Sequence, residues 1–153
     1  MKAFFFLILA ISFFSSDSLA QTQKVKVKNG VATVDGVDYM RIEKNSGSPD
    51  LSIYTMGSDE EIVYVQYMKY QDPSKVTRSN PNGNVSWYVL KFLTLDIECE
   101  VGSISKKALT KMFLENDIIV DDALNQEAAE LLVKKKGTKW SDNRPGTTII
   151  INN

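Results

Sequence analysis

Beyond an apolar N-terminal run, polar and apolar positions alternate with a period of two for most of the chain, then switch to a helical period. Lys24-Val25-Lys26-Val27-Lys28 places Val25 and Val27 on one face of a strand. Asn29-Gly30 predicts a tight hairpin turn, since both residue types tolerate positive φ. Val31–Val34 predicts the returning strand, and Asp35-Gly36 a second turn. Val37–Lys44 predicts a third strand with Met40 and Ile42 opposite Tyr39 and Arg41. Asn45–Asp50, with Gly47 and Pro49, predicts a loop. Leu51–Met56 predicts a short strand closed by Gly57-Ser58-Asp59. Glu61–Tyr70, rich in Val, Ile and Tyr, predicts a longer strand, and Ser86 to about Val101 a longer one still. The connection between them, Gln71–Val85, carries Pro73, Pro81 and Gly83. It exceeds the usual hairpin loop of about 2–5 residues and suggests a mobile segment.

The helical period begins near Ser103 or Ser105, either of which can cap a helix over Lys106–Glu115 with Leu109, Met112 and Phe113 on one face. Ile118-Ile119-Val120 follows as a short apolar link. A second helix has Asn125 as N-cap, Glu127 in its first turn, and a stripe of Ala128, Leu131 and Leu132. Lys134-Lys135-Lys136 occupy its last turn and Gly137 stands just past it. Acid at the start and base at the end complement the helix dipole, which accounts for the lysine run. Beyond Asp142-Asn143-Arg144-Pro145-Gly146, Thr147–Ile151 predicts a final strand. The expected fold is α+β, a mostly antiparallel sheet of roughly five to seven strands packed with a C-terminal αα-hairpin.

The apolar run changes how the composition is read. Lys2 precedes Ala3–Ile11, and the run continues to Phe14. Polar Ser15–Ser18 and then Leu19-Ala20 complete the features of a signal peptide over 1–20, with cleavage near Ala20-Gln21. The run is about 12 residues against the roughly 20 that span a bilayer, so no transmembrane segment is expected in the mature chain. The expected location is the periplasm or the extracellular space, and residues 21–153 form one domain. Five of the seven Phe lie in the signal, which leaves Phe92 and Phe113 with the tyrosines and tryptophans.

A net charge of −1 provides no long-range attraction for nucleic acid. The absence of histidine removes Ser-His-Asp and Cys-His catalysis and His-ligated metal sites. The single cysteine, Cys99, cannot form an intramolecular disulfide. On the apolar side of its strand it is expected to be a buried, inert thiol. The Asn29-Gly30/Asp35-Gly36 start and the Ser105–Gly137 helical segment resemble small exported proteins of Bacteroidota, a group without an assigned activity. That resemblance implies export and supplies no site residue.

Several patterns are candidates for chemistry. Asp96, Glu98 and Glu100 alternate with Leu95, Ile97, Cys99 and Val101, so a strand would put the three carboxylates on one face. Such a patch can bind a divalent cation or supply an acid/base pair. A solvated strand end is the simpler expectation. Asp59-Glu60-Glu61 and Asp121-Asp122 are likewise expected at solvated ends, the latter capping or preceding the last helix. Asn80-Pro81-Asn82-Gly83-Asn84 has glycine at the wrong position for a calcium loop. Asn84-Val85-Ser86 is a glycosylation sequon, meaningful only in a eukaryotic secretory protein.

Tyr64 and Tyr70 share one face of their strand, Tyr67 lies opposite, and Trp87 and Tyr88 begin the next long strand. These five rings either fill the core or form a binding surface for a peptide or glycan. No catalytic residue, cofactor or metal ligand is assigned. The expected function is a non-enzymatic binding or structural role toward an unknown protein or glycan partner. A carboxylate-dependent hydrolase such as a glycosidase is the alternative, and self-association through an exposed edge strand such as Thr147–Ile151 a third possibility.

Overall fold

The computed structural model describes residues 23–142. Seven strands lie side by side in chain order, each antiparallel to the next. They are β1 (Val25–Lys28), β2 (Val31–Val34), β3 (Val37–Lys44), β4 (Leu51–Tyr54), β5 (Glu61–Gln71), β6 (Asn84–Phe92) and β7 (Ile97–Val101). Local turn chemistry sets this meander. Asn29 and Gly30 have φ of 50° and 81°, and Asp35 and Gly36 have 51° and 90°, the left-handed pairs that two-residue hairpins require. Asp35 fixes its turn further by accepting the Lys24 N–H at 2.8 Å.

The strand expected over Ser86–Val101 is two strands. A turn at Leu93–Asp96 separates β6 from β7, with the Leu95 N–H on the Phe92 carbonyl at 3.1 Å and Asp96 at φ 52°. Aspartate tolerates this conformation without glycine. The run Leu93-Thr94-Leu95 contains no Gly or Pro, so its alternation hides the break.

The helical layer covers one face of the sheet. Met40, Ile42, Ile53, Val63, Val65, Leu90, Phe92 and Cys99 form the sheet side of the core. Leu109, Phe113, Ile118 and Leu132 form the other side. Helix α1 (Lys106–Glu115) is capped by Ser105, whose Oγ accepts the Ala108 N–H at 3.2 Å. Helix α2 (Gln126–Lys136) is capped by Asn125 and ends at Gly137, φ 61°.

The expected αα-hairpin is not what the structure shows. Helix α1 lies against β1 and α2 against β7, the two edges of the sheet. The link between the helices folds into a small ladder, β8 (Ile119–Val120) and β9 (Ala123–Leu124). Its turn residues Asp121 and Asp122 have φ of 49° and 59°. The buried stripe of α2 is also shifted: Ala129 and Leu132 are buried, while Leu131 is 60% exposed. The final strand expected at Thr147–Ile151 and the signal peptide lie outside the described residues.

Asp122 is exposed, as expected, but it is not idle. Its carboxylate accepts the Met56 N–H at 2.7 Å and the Gly57 N–H at 2.6 Å, joining the β8–β9 turn to the β4–β5 turn. A Cβ at Gly57 would collide with that carboxylate. Losing charge-assisted bonds of this kind costs about 1–2 kcal/mol at an exposed position. Asp122→Ala and Gly57→Ala are therefore each expected to lower the denaturant midpoint by an equivalent amount without changing the slope. Midpoints equal to the parent's would show that this contact contributes nothing.

Candidate functional site

The sheet face opposite the helices is covered at β6–β7 by the end of the described chain. Trp87 pairs with Met68 across β5–β6, and Glu100 pairs with Val89 across β6–β7. Trp87 is fully buried and Glu100 is 2% exposed. Past α2, Gly137 turns the chain over the sheet edge, its carbonyl accepting the Glu100 N–H at 2.9 Å. The short helix α3 (Lys139–Asp142) follows.

One carboxylate holds this crossing in place. Glu100 Oε2 accepts the Trp140 N–H at 2.6 Å and the Ser141 N–H at 3.0 Å. Its Oε1 accepts Trp87 Nε1–H at 3.0 Å and the Ser141 hydroxyl. The first N–H groups of a helix have no intrahelical partner, and here a carboxylate from a neighbouring strand satisfies them. Burial alone pushes the Glu100 carboxyl up, but donation from Ser141, Trp140 and Trp87 outweighs it and holds the group below its ordinary 4.5.

The acidic ladder is therefore divided. Asp96 sits in the turn, Glu98 is exposed 3.9 Å from Lys91, and Glu100 is buried beneath α3. Asp96 and Glu98 line a shallow pocket of about 250 Å³ beside Lys91, and Glu100 takes no part in it. Glu100 is poorly placed to act as a general acid, which needs a raised pKa and access to a leaving group. Cys99 faces the core, where burial pushes its thiol up to about 11, so no nucleophilic thiolate is present at neutral pH.

The five candidate rings do not form one surface. Tyr67 and Tyr88 meet edge to face at 5.4 Å, Tyr88 packing against the core. Tyr64 lies on the other face and donates its hydroxyl to Asp50 at 2.8 Å. Asp50 also accepts the Tyr67 N–H at 2.7 Å. Tyr70 stands edge to face with buried Trp87 at 5.7 Å.

Of the five, Tyr70 borders a cleft. It lines a pocket of about 370 Å³ with Asp72, Lys75, Val85, Lys139 and Trp140. A second pocket of about 370 Å³ shares Lys139 and Trp140 with it and has Gly102, Ser103, Lys135 and Lys136 in its walls. The Trp140 ring lies close against Gly102, where an added Cβ would be 3.4 Å from its edge. Sequence reasoning missed Trp140, Lys139, Lys75 and Asp72. The available signal was a lone tryptophan in a polar stretch three residues beyond the helix-ending Gly137.

The connection expected to be mobile is hydrogen-bonded internally. Asp72 caps a single 3₁₀ turn, Pro73–Lys75, by accepting the Ser74 N–H. Asn80 donates to the Lys75 and Asn84 carbonyls and accepts the Asn84 N–H at 2.9 Å. Gly83, at φ 59°, passes so close to the Asp72 carbonyl that no Cβ fits. The cleft wall formed by Asp72 and Lys75 is thus a built feature.

No protein-family model, curated protein or solved structure matches this chain.

The only two tryptophans, Trp87 and Trp140, flank Glu100, so tryptophan fluorescence, excited beyond the tyrosine absorption, reads this junction. A depressed carboxyl contributes stability above its unfolded value and loses it as pH falls through the folded one. Tryptophan emission is expected to shift to the red as pH falls below about 4.5, and Glu100→Gln to show the shifted emission already at neutral pH. The substitution is expected to cost about 2 kcal/mol, since it faces an N–H-rich pocket with an amide nitrogen. Parent-like emission of this variant at pH 7 would refute the role assigned to Glu100.

Proposed function

We propose that this chain is a small exported, non-enzymatic protein with a binding role in the cell envelope or outside the cell. The observation that carries the reading is the cleft walled by Tyr70 and Trp140, beside a second pocket that shares Trp140. Tyr70 and Trp140 bring aromatic surface to it, and Lys75, Lys139 and Asp72 bring charge. Concave sites with aromatic walls and a few fixed polar groups are the usual form of a ligand pocket, and 370 Å³ falls within their range of about 300–1,000 Å³. The acidic residues favour binding over hydrolysis, because no two free carboxylates face one another across this cleft among the described residues. Asp72 bonds the Ser74 N–H and Glu100 bonds the chain crossing.

Export, to the periplasm or the extracellular space, rests on the Lys2–Ala20 segment. The likeness to exported Bacteroidota proteins belongs to the same proposal. Among the described residues no helix is long and apolar enough to cross a membrane.

Two measurements test this reading. Full-length protein produced in a bacterium and recovered from the periplasmic or culture fraction is expected to begin at Gln21 by intact-mass analysis. Retention of residues 1–20 in the cytoplasmic fraction would overturn the export. The mature protein, titrated with a soluble digest of bacterial envelope, is expected to show amide shift changes at Tyr70, Lys75, Val85 and Trp140. The changes should be absent in a Tyr70→Ala/Trp140→Ala variant of parent-like circular dichroism. No shift, or shifts confined to the other face of the sheet, would overturn the placement.

A further inference from the structure

Helix α2 buries Ala129 and Leu132 in the core and turns another side outward. Glu127, Leu131, Lys134 and Lys135 are all exposed and follow one another at three- and four-residue spacings, so they form one outward stripe. Leu131 is 60% exposed in the middle of it.

Single exposed leucines are common on protein surfaces and need no explanation. This one stands at a hollow of about 300 Å³ whose other walls are Asn116, Asp117, Asn125, Glu127 and Ala128. The two asparagines are committed to the helix ends. Asn116 donates to the Met112 carbonyl, and Asn125 accepts the Ala128 N–H. What remains for an occupant is the apolar surface of Ala128 and Leu131, flanked by the acids Asp117 and Glu127. One patch therefore carries both a knob and a hole of side-chain size.

The charges follow the same rule. The helix dipole explains acid at the start of α2 and base at its end. That distribution also makes the outward stripe complementary to its own reverse. Leu131 is the central residue of the eleven in α2. A second α2 laid antiparallel sets the two leucines side by side and places Glu127 against Lys134 and Lys135 of the second copy.

We propose that α2 is a self-association surface whose partner is a second copy of this chain. The two α2 helices pair antiparallel about a two-fold axis near Leu131, each leucine entering the other copy's hollow. A two-fold interface uses the same patch on both partners and must be self-complementary, as this stripe is in shape and in charge. The inference is independent of the cleft at Trp140. A helix of this length spans about 16 Å. It is too short to bury the roughly 800 Å² per partner of a standard interface, so the dimer is a weak one. Its dissociation constant is expected on the order of 0.1 mM.

Sedimentation equilibrium of the protein spanning residues 21–153, from about 10 µM to about 1 mM, tests this. A monomer–dimer equilibrium is expected, and Leu131→Lys, at an exposed position, is expected to weaken it about tenfold or more. Glu127→Lys and Lys134→Glu/Lys135→Glu each bring like charges together in a homodimer, so each is expected to stay monomeric with parent-like circular dichroism. Mixed one to one, they are expected to dimerise again, because every reversed charge then meets its opposite. A parent protein that is monomeric at the highest concentration would overturn the proposal. A dimer that Leu131→Lys leaves unchanged would overturn it too, by placing the contact elsewhere. Charge-reversed variants that remain monomeric when mixed would overturn the antiparallel pairing.

Discussion

Glu100 imposes the constraint on which the candidate site depends. A carboxylate buried in the sheet without donors would be strongly destabilising, so its presence at this position requires a set of N–H and O–H groups around it. Trp87 supplies one from the sheet. Trp140 and Ser141 supply the others, and they do so only because Gly137 turns the chain over the edge of β7. Trp140 is thereby fixed beside Gly102, where it lines both pockets. The cleft is a consequence of satisfying one buried charge.

The same device recurs at smaller scale. Asp50 accepts the Tyr67 N–H where β5 runs on past β4, Asp72 accepts the Ser74 N–H, and Asp122 accepts the Met56 and Gly57 N–H groups. A chain with one cysteine has no internal disulfide with which to pin its loops. Charge-assisted bonds from carboxylates to backbone N–H groups serve that purpose here. For Asp50, burial favours the neutral acid, yet donation from Ser48, Tyr67 and Tyr64 holds its carboxyl below the ordinary range. Acidification is accordingly expected to act on the joints between elements before it reaches the apolar core.

Much of the scaffold was legible in the sequence because local chemistry determines it. Asn29-Gly30 and Asp35-Gly36 specify left-handed turns, and Ser105 and Asn125 cap the helices at the positions their side chains predict. Met40 and Ile42 point inward as the period of two requires. The site was less legible because it depends on contacts distant in sequence. Glu100 alternates like any solvated strand residue, and nothing local states that residues 140 and 141 will cover it. The break at Leu93–Asp96 was hidden because aspartate, and not glycine, takes the left-handed position. The same holds for Asp121 and Asp122, an exposed pair that takes the left-handed turn without glycine and whose second member is joined to Met56 and Gly57, distant in sequence.

Amide hydrogen exchange at Trp140 and Ser141 tests the account most directly. Both N–H groups lie near the end of the described chain, in a helical turn too short to protect its own first donors. Bonding to Glu100 predicts that, in the native protein at neutral pH, they exchange as slowly as the amides of β7. Exchange at the rate of fully exposed amides would contradict the account, because it would leave Glu100 without its partners and the cleft without Trp140 in its wall.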